Sequence, residues 1–403
     1  PYDVLGLNLA ARAGKAPGEN LRSGKVHKTF ASQMALLEYP LILKTYVRIQ
    51  PPIQWKGGMI HEIYKGKGFS SDCKNYRDVM LANDNGKFVG KFLRRKLIHR
   101  AKCFIFPSQF GGGFNGGETA FAHLFSQCMF QACAYGGISS CNLYLDVASA
   151  FATMLRQAIV NIDHGDCAWI SFMRKHGFSE EDIGAIRNMV QHLSSWNLDR
   201  DGCLIPPENG GGCHADSLST KLAAEWFNNT WMSQEGIDNV IVTWAGCLAG
   251  TPLADLVFTL TMARVLLTLR RSLEADDLQS HVRVNGKVYP MYDVSFVDDC
   301  IVPVSGEAEK RIVAKTTAIA SVAYSVFLCF KMLLNFSPGK SEAMVQFGGK
   351  GKKAAVSSLS RNGSQSVFYD KQSKPIILRF VCAYKHVGTY GQPNLRSGKE
   401  VSV

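Results

Sequence analysis

Acid is scarce in this sequence. Its 403 residues hold 33 Asp and Glu against 45 Lys and Arg, a formal net charge of +12. Charged residues of both signs make up only 19% and apolar residues 46%, which excludes a largely disordered chain and predicts a buried core. At roughly 100–200 residues per domain, the length allows two or three domains. Long hydrophobic runs are missing as well. The longest uncharged stretch readable as one helix, Thr316 to Phe330 between Lys315 and Lys331, falls short of the ~20 residues a spanning helix needs, so no membrane span is expected. Pro1-Tyr2-Asp3 offers neither an initiator Met nor the charged-then-apolar plan of a signal peptide, and the chain reads as a piece of a longer protein. The 12 cysteines include no Cys-x-x-Cys pair, and Cys203, Cys213 and His214 find no second close pair to complete a zinc site. Buried thiols in a reducing compartment are expected.

The positive charge is unevenly placed. Lys87, Lys91, Arg94, Arg95, Lys96, Arg100 and Lys102 fall in one stretch without an acid, while Phe88, Phe92 and Leu93 recur at helical spacing. That pattern predicts an amphipathic helix with a cationic outer face. From Lys340 to Lys385 only Glu342 and Asp370 are acidic. Two basic regions around an acidic site suit a phosphate backbone.

Residues 1–30 are Gly-, Lys- and Ala-rich with little periodicity and read as a loose connection. Short strands alternate with glycine turns to about residue 82, and Gln109 to Thr119 is a glycine-dense loop before a helix over Ala120–Ala134. A strand is predicted over Asn142–Asp146, with Leu143 and Leu145 on one face and Tyr144 and Asp146 on the other. Residues 160–235 read as mostly helical, interrupted at Ile205–Gly212. Pro252 opens an apolar helix to about Leu269, and a hairpin over Tyr292–Val304 carries two acids at its tip. Strands and helices mixed without regular βαβ alternation point to an α+β fold.

Asp146 ends an apolar strand, and Asp298 and Asp299 are paired at a turn between two more. Crowded carboxylates repel, and a divalent cation reverses the sign of that argument. Mg²⁺ takes hard oxygen ligands, usually one or two carboxylates plus water and substrate phosphates. Two such ions stabilise the attacking and leaving oxygens of an in-line phosphoryl displacement.

The ordered set of motifs resembles the reverse transcriptase domain of non-LTR (LINE-type) retrotransposon polyproteins. Leu145-Asp146-Val147-Ala148-Ser149-Ala150-Phe151 is similar to the first palm motif, Gly250-Thr251-Pro252-Leu253 to the second and Phe296-Val297-Asp298-Asp299 to the third. Asn335 through Lys340-Ser341-Glu342 is similar to the fourth, and Phe380 to Gly388 to the fifth, the primer-grip hairpin. Tyr64-Lys65-Gly66-Lys67-Gly68, Asn75 to Leu81 and the Gln109–Thr119 loop resemble the fingers segments. The match covers residues 55 to 390.

The resemblance implies a right-hand polymerase: an antiparallel palm sheet of the split βαββαβ kind, helical or mixed fingers, and a thumb largely absent. It divides the chain into an N-terminal extension (1–50), first fingers segment (51–140), palm (141–155), fingers or insertion helices (156–240), palm (241–345) and a primer-grip hairpin with a truncated end (346–403). It implies an RNA-directed DNA polymerase with two Mg²⁺ (or Mn²⁺) ions at Asp146, Asp298 and Asp299, with Val147 a further ligand position. Nucleotide binding falls to Phe151, Arg77, Lys65, Lys67, Gly250, Pro252 and Lys340. Phe151 excludes a ribose 2′-hydroxyl, and Arg77 suits a triphosphate clamp. Lys87, Lys91, Arg94, Arg95, Gln109, Tyr384 and Lys385 are the implied nucleic-acid contacts. RNA template, DNA primer and dNTPs are the implied partners, with a fused endonuclease domain elsewhere in the polyprotein, no membrane, and an intracellular, nuclear location.

Two positions depart from the family pattern. Ala249 stands where Gln is usual, and Thr251 where close relatives commonly carry an acid. An impaired palm that only binds nucleic acid is one alternative, and an RNA-dependent RNA polymerase a second. The latter generally places a polar residue where Phe151 stands.

Overall fold

The computed structural model describes residues 1–66, 68–111, 119–156, 166–194, 217–247, 250–306, 309–386 and 389–391. In chain order the first half contains α1 (Tyr2–Leu9), α2 (Gly24–Thr29), α3 (Ala31–Arg48), β1 (Gly57–Tyr64), β2 (Tyr76–Ala82) and α4 (Asp84–Ala101). Next come β3 (Gln109–Phe110), α5 (Thr119–Tyr135), β4 (Ser139–Leu145), β5 (Val147–Ala148), α6 (Ala150–Thr153), α7 (Asp166–Lys175) and α8 (Glu180–Ser194). Then follow α9 (Ser217–Trp226), β6 (Thr230–Gln234), β7 (Val240–Thr243), α10 (Ala254–Ala275), β8 (Ser280–Val284), β9 (Lys287–Met291), β10 (Val294–Phe296) and β11 (Asp299–Gly306). The chain continues through α11 (Glu309–Cys329), β12 (Leu333–Leu334), β13 (Glu342–Gln346), α12 (Lys352–Arg361), β14 (Gln365–Tyr369), β15 (Pro375–Val381), β16 (Tyr384–His386) and β17 (Thr389–Gly391). The fold is α+β with mixed sheets.

Two compact units share the chain. The first comprises residues 1–104, 151–168 and 187–260, the second 105–150, 169–186 and 261–403. In the first, a sheet of order β2-β1-β6-β7 combines antiparallel pairs with the parallel β1/β6 pair. Beside it, the N-terminal residues are folded, which corrects the expectation of a loose connection. Leu7 and Ala11 pack on Phe88 of α4, and Asn8, His27 and Glu38 form a buried polar cluster.

The second unit is built on a seven-stranded sheet, β14-β15-β13-β4-β11-β10-β3. Strand β4 is central and buried along its whole length, antiparallel to β11 on one side and β13 on the other. Its Leu143 and Leu145 alternate with Tyr144, as period-two patterning predicts. Each fully buried aliphatic side chain in such a layer contributes roughly 1.5–3 kcal/mol through removal from water. The Tyr144 face packs with Phe130 of α5, Ile301, Met344 and Tyr384. Helix α11 lies against β4 and β11 with Ile312, Ala320, Ala323 and Phe327 fully buried. It begins seven residues before the predicted Thr316 and is long and apolar enough, by length and composition, to cross a membrane; more than half of its apolar stretch is buried inside the unit.

Candidate active site

Asp146 leaves the carboxyl end of β4 at the point where the sheet stops. The β4/β11 register pairs Leu145 with Cys300, so its continuation by one residue sets Asp146 opposite Asp299. Alternation places Asp146 and Asp299 on the face that carries Tyr144 and Ile301. Strands β10 and β11 pair Phe296 with Asp299, leaving Val297 and Asp298 as a two-residue turn. Val297 adopts a φ of +56°, a sterically costly value for a β-branched residue. Its N–H donates to the Phe110 carbonyl at 3.1 Å, and a Cβ on Gly111 would stand 2.6 Å from its Cγ2, so glycine at 111 is what admits this turn.

The segment after α11 wraps the same corner. Strand β12 pairs with β5, setting Leu334 opposite Val147, which is buried. Asn335 N–H donates to the Asp146 carbonyl at 2.9 Å, and Asp146 N–H donates to Ser341 Oγ at 2.9 Å. Lys340 Nζ donates to Asp146 Oδ1 at 3.0 Å. Glu342 accepts from Gly339 N–H at 2.7 Å and closes the turn. Asn335, Ser341 and Glu342 were legible as parts of a motif, and their hydrogen bonds to the Asp146 corner appear only in the fold.

Burial and neighbouring charge both act on the paired aspartates. Burial and then the Asp146 carboxylate push the Asp298 carboxyl above its ordinary value. Asp299 is pushed up to about 6 by burial, then by Asp298 and Asp146, with the Lys340 ammonium opposing. Among the described residues no three His, Cys, Asp or Glu side chains are grouped so as to hold a metal ion between them. Mg²⁺ asks for less, one or two carboxylates with the remainder from water and phosphate. A cluster of mutually destabilised carboxylates, one of which already holds a cationic side chain, fits that demand.

The other predicted residues divide between the units. In the first, Phe151 stacks on Phe258 with centroids 4.3 Å apart and planes 20° off parallel, and remains half-buried. Arg77 is exposed on β2, and Lys65 is exposed just after β1; Lys67 lies outside the described residues, as do Ala249, residues 112–118 of the glycine loop and 195–216. Gly250, at φ +101°, brings its backbone so near β2 that a Cβ would meet the Met80 carbonyl at 2.8 Å. Pro252 sits in the turn before α10 and packs on Gly90 of α4. The basic helix is present as α4, with Lys91 and Arg95 exposed and Lys87 within 3.5 Å of Asp84. Arg94 is engaged within the fold. Its guanidinium clasps the Asp255 carboxylate, Nη2 donating at 2.6 Å, and so ties α4 to the start of α10.

In the second unit two predicted nucleic-acid contacts are turned inward. Gln109 is buried with Oε1 accepting from Phe106 N–H at 3.0 Å, because the turn into β3 needs that acceptor. Tyr384 is only 8% exposed, its hydroxyl donating to the Lys340 carbonyl. Lys385, next along β16, is exposed. Sequence reading missed Arg270, whose guanidinium bonds both oxygens of buried Asp293 at 2.6 and 3.0 Å and lies 3.7 Å from the Phe106 ring centroid. Neither residue belongs to a motif, so only the fold reveals the pair. No known family model matches the chain, and none of the curated proteins is significantly similar to it.

Proposed function

We propose that the protein is an RNA-directed DNA polymerase, adding dNTPs to a primer 3′-hydroxyl on an RNA template. The observation that carries the reading is the meeting of Asp146 with the Asp298–Asp299 turn at one end of a sheet. Strands β4, β10, β11 and β13 lie in the order β13-β4-β11-β10, with α10 and α11 among their connections; this split βαββαβ order supports the reading of the second unit's sheet as a palm. Fingers are assigned to the sheet and helices of the first unit.

Asp146 and Asp298 would hold divalent ions, with Asp299 and the Val147 position as weaker partners. Two Mg²⁺ (or Mn²⁺) ions bound there would supply Lewis-acid stabilisation of the attacking and departing oxygens. The chain's own groups do the rest. Lys340, with its ammonium on Asp146, places positive charge where negative charge accumulates as pyrophosphate departs. Phe151 presents a flat apolar ring that discriminates against a 2′-hydroxyl, and Arg77 offers a planar clamp for the triphosphate. Lys91, Arg95 and Lys385 supply charge for template and primer phosphates.

Primer extension on an RNA template tests the reading. Incorporation of dNTP is expected, and Asp298→Asn should lower it by about 10³-fold or more while template affinity and folding persist. Extension with rNTP alone would instead identify an RNA polymerase. Template binding without extension by either nucleotide would identify a palm that only binds.

A further inference from the structure

We propose that Tyr384 is a positioning residue that fixes Lys340 on the catalytic Asp146, rather than a contact for nucleic acid. The inference rests on the polymerase reading for its consequence in catalysis, and on geometry alone for the contact. The Tyr384 ring stacks on Tyr144 with centroids 4.2 Å apart and planes 19° off parallel, and Tyr144 lies two residues before Asp146 on β4. Its hydroxyl donates to the Lys340 carbonyl at 2.5 Å. One side chain therefore joins the strand that carries Asp146 to the turn that carries Lys340.

Asn335 and Ser341 hold the turn's backbone to Asp146, and the Tyr384 hydroxyl adds a tie at the Lys340 peptide itself. Lys340 is an exposed lysine, its side chain 48% accessible, and lysine has abundant rotamer freedom to lose. Its N–H donates to Ser337 within the turn, and Ser341 N–H donates to Asn335; the Tyr384 hydroxyl is what ties the Lys340 peptide to the β16 hairpin. Burial, then the carboxylates of Asp146, Asp299 and Glu342, hold the phenol well above the ordinary tyrosine range. It stays protonated and acts as a donor. A ring clustered with Phe130, Tyr144, Ile301 and Met344 and only 8% exposed offers a primer strand little surface.

The test combines a chemical footprint with kinetics. Lys340 acylation of the folded full chain by an amine-reactive ester, read by peptide mass spectrometry after digestion, should rise about threefold to tenfold in Tyr384→Phe, the change one lost hydrogen bond allows. Lys352 and Lys353 should label at the wild-type rate, and Asp146→Asn should raise Lys340 labelling as a positive control. In primer extension, Tyr384→Phe should lower kcat with KM for primer-template unchanged. The double variant Tyr384→Phe/Lys340→Ala should be no slower than Lys340→Ala alone. Unchanged Lys340 labelling in Tyr384→Phe, or additive losses in the double variant, would overturn the assignment. A wild-type chain inert in extension would defeat the polymerase reading instead, and the footprint would still decide the contact.

Discussion

Val297 shows at a single residue how far this corner is bent to hold its acids. A β-branched side chain at positive φ costs of order 1–3 kcal/mol, met here by the Phe110 carbonyl and by Gly111 lying flat against it. The aspartates store cost in another form. Asp299 binds its proton more tightly in the fold than in the unfolded chain, since its carboxyl is pushed up to about 6. Stability is therefore fullest below the ordinary aspartate value and declines as pH rises through about 6. Asp299→Asn is expected to raise unfolding free energy by about 1–2 kcal/mol near pH 7.5 in chelator, and to change little near pH 4. Denaturant melts at the two pH values check it; a variant less stable near pH 7.5 would mean the carboxylate is held by favourable contacts. Phe151 has a different test. Phe151→Ala should raise ribonucleotide incorporation relative to deoxyribonucleotide by about tenfold or more, and unchanged sugar selectivity would return the ring to a packing role against Phe258.

Among elements, legibility followed the chemistry of what each one buries. β4 declared itself because Leu143 and Leu145 alternate with Tyr144. Its first residues, Ser139 and Ser140, are equally buried, between β11 and β13, and small polar residues gave no apolar signal of that. α3 inverts the usual pattern. Ala31, Ala35, Glu38 and Thr45 face inward while Leu36, Leu37 and Val47 are largely exposed, so periodicity could not reveal it. The core it joins contains Asn8, His27 and Glu38 hydrogen-bonded to one another, residues that read as surface in any sequence. α10 begins two residues after Pro252 and runs six beyond Leu269. The Arg94–Asp255 clasp joins two helices 161 residues apart, and no local pattern encodes it. Arg94→Ala should cost about 1 kcal/mol of stability, the upper end for a partly exposed pair, and leave template affinity near wild type. A large loss of affinity with unchanged stability would restore Arg94 to the nucleic-acid surface.

For the molecule as a whole, the charge of +12 favours the proposed polyanionic partner. Template affinity should fall with salt, the logarithmic slope being about −0.7 per phosphate neutralised on a single strand. Lys91→Ala with Arg95→Ala should flatten that slope by about 1.4, read from binding titrations at several salt concentrations; an unchanged slope would place the nucleic acid elsewhere. The acids, their order and the glycine turns were readable because chemistry confines them to short motifs. What joins them was not, since Asp146 and its neighbours on β11 and β13 are separated by more than 150 residues. The same separation governs synthesis. The chain passes five times between its units, and β4 leaves the ribosome long before β13 exists to flank it. A nascent β4 therefore waits with one edge unpaired, a state prone to wrong partners. A chain ending between residues 306 and 342 would be stranded there, so such shortened copies should collect in the aggregated fraction on expression while the full chain stays in solution.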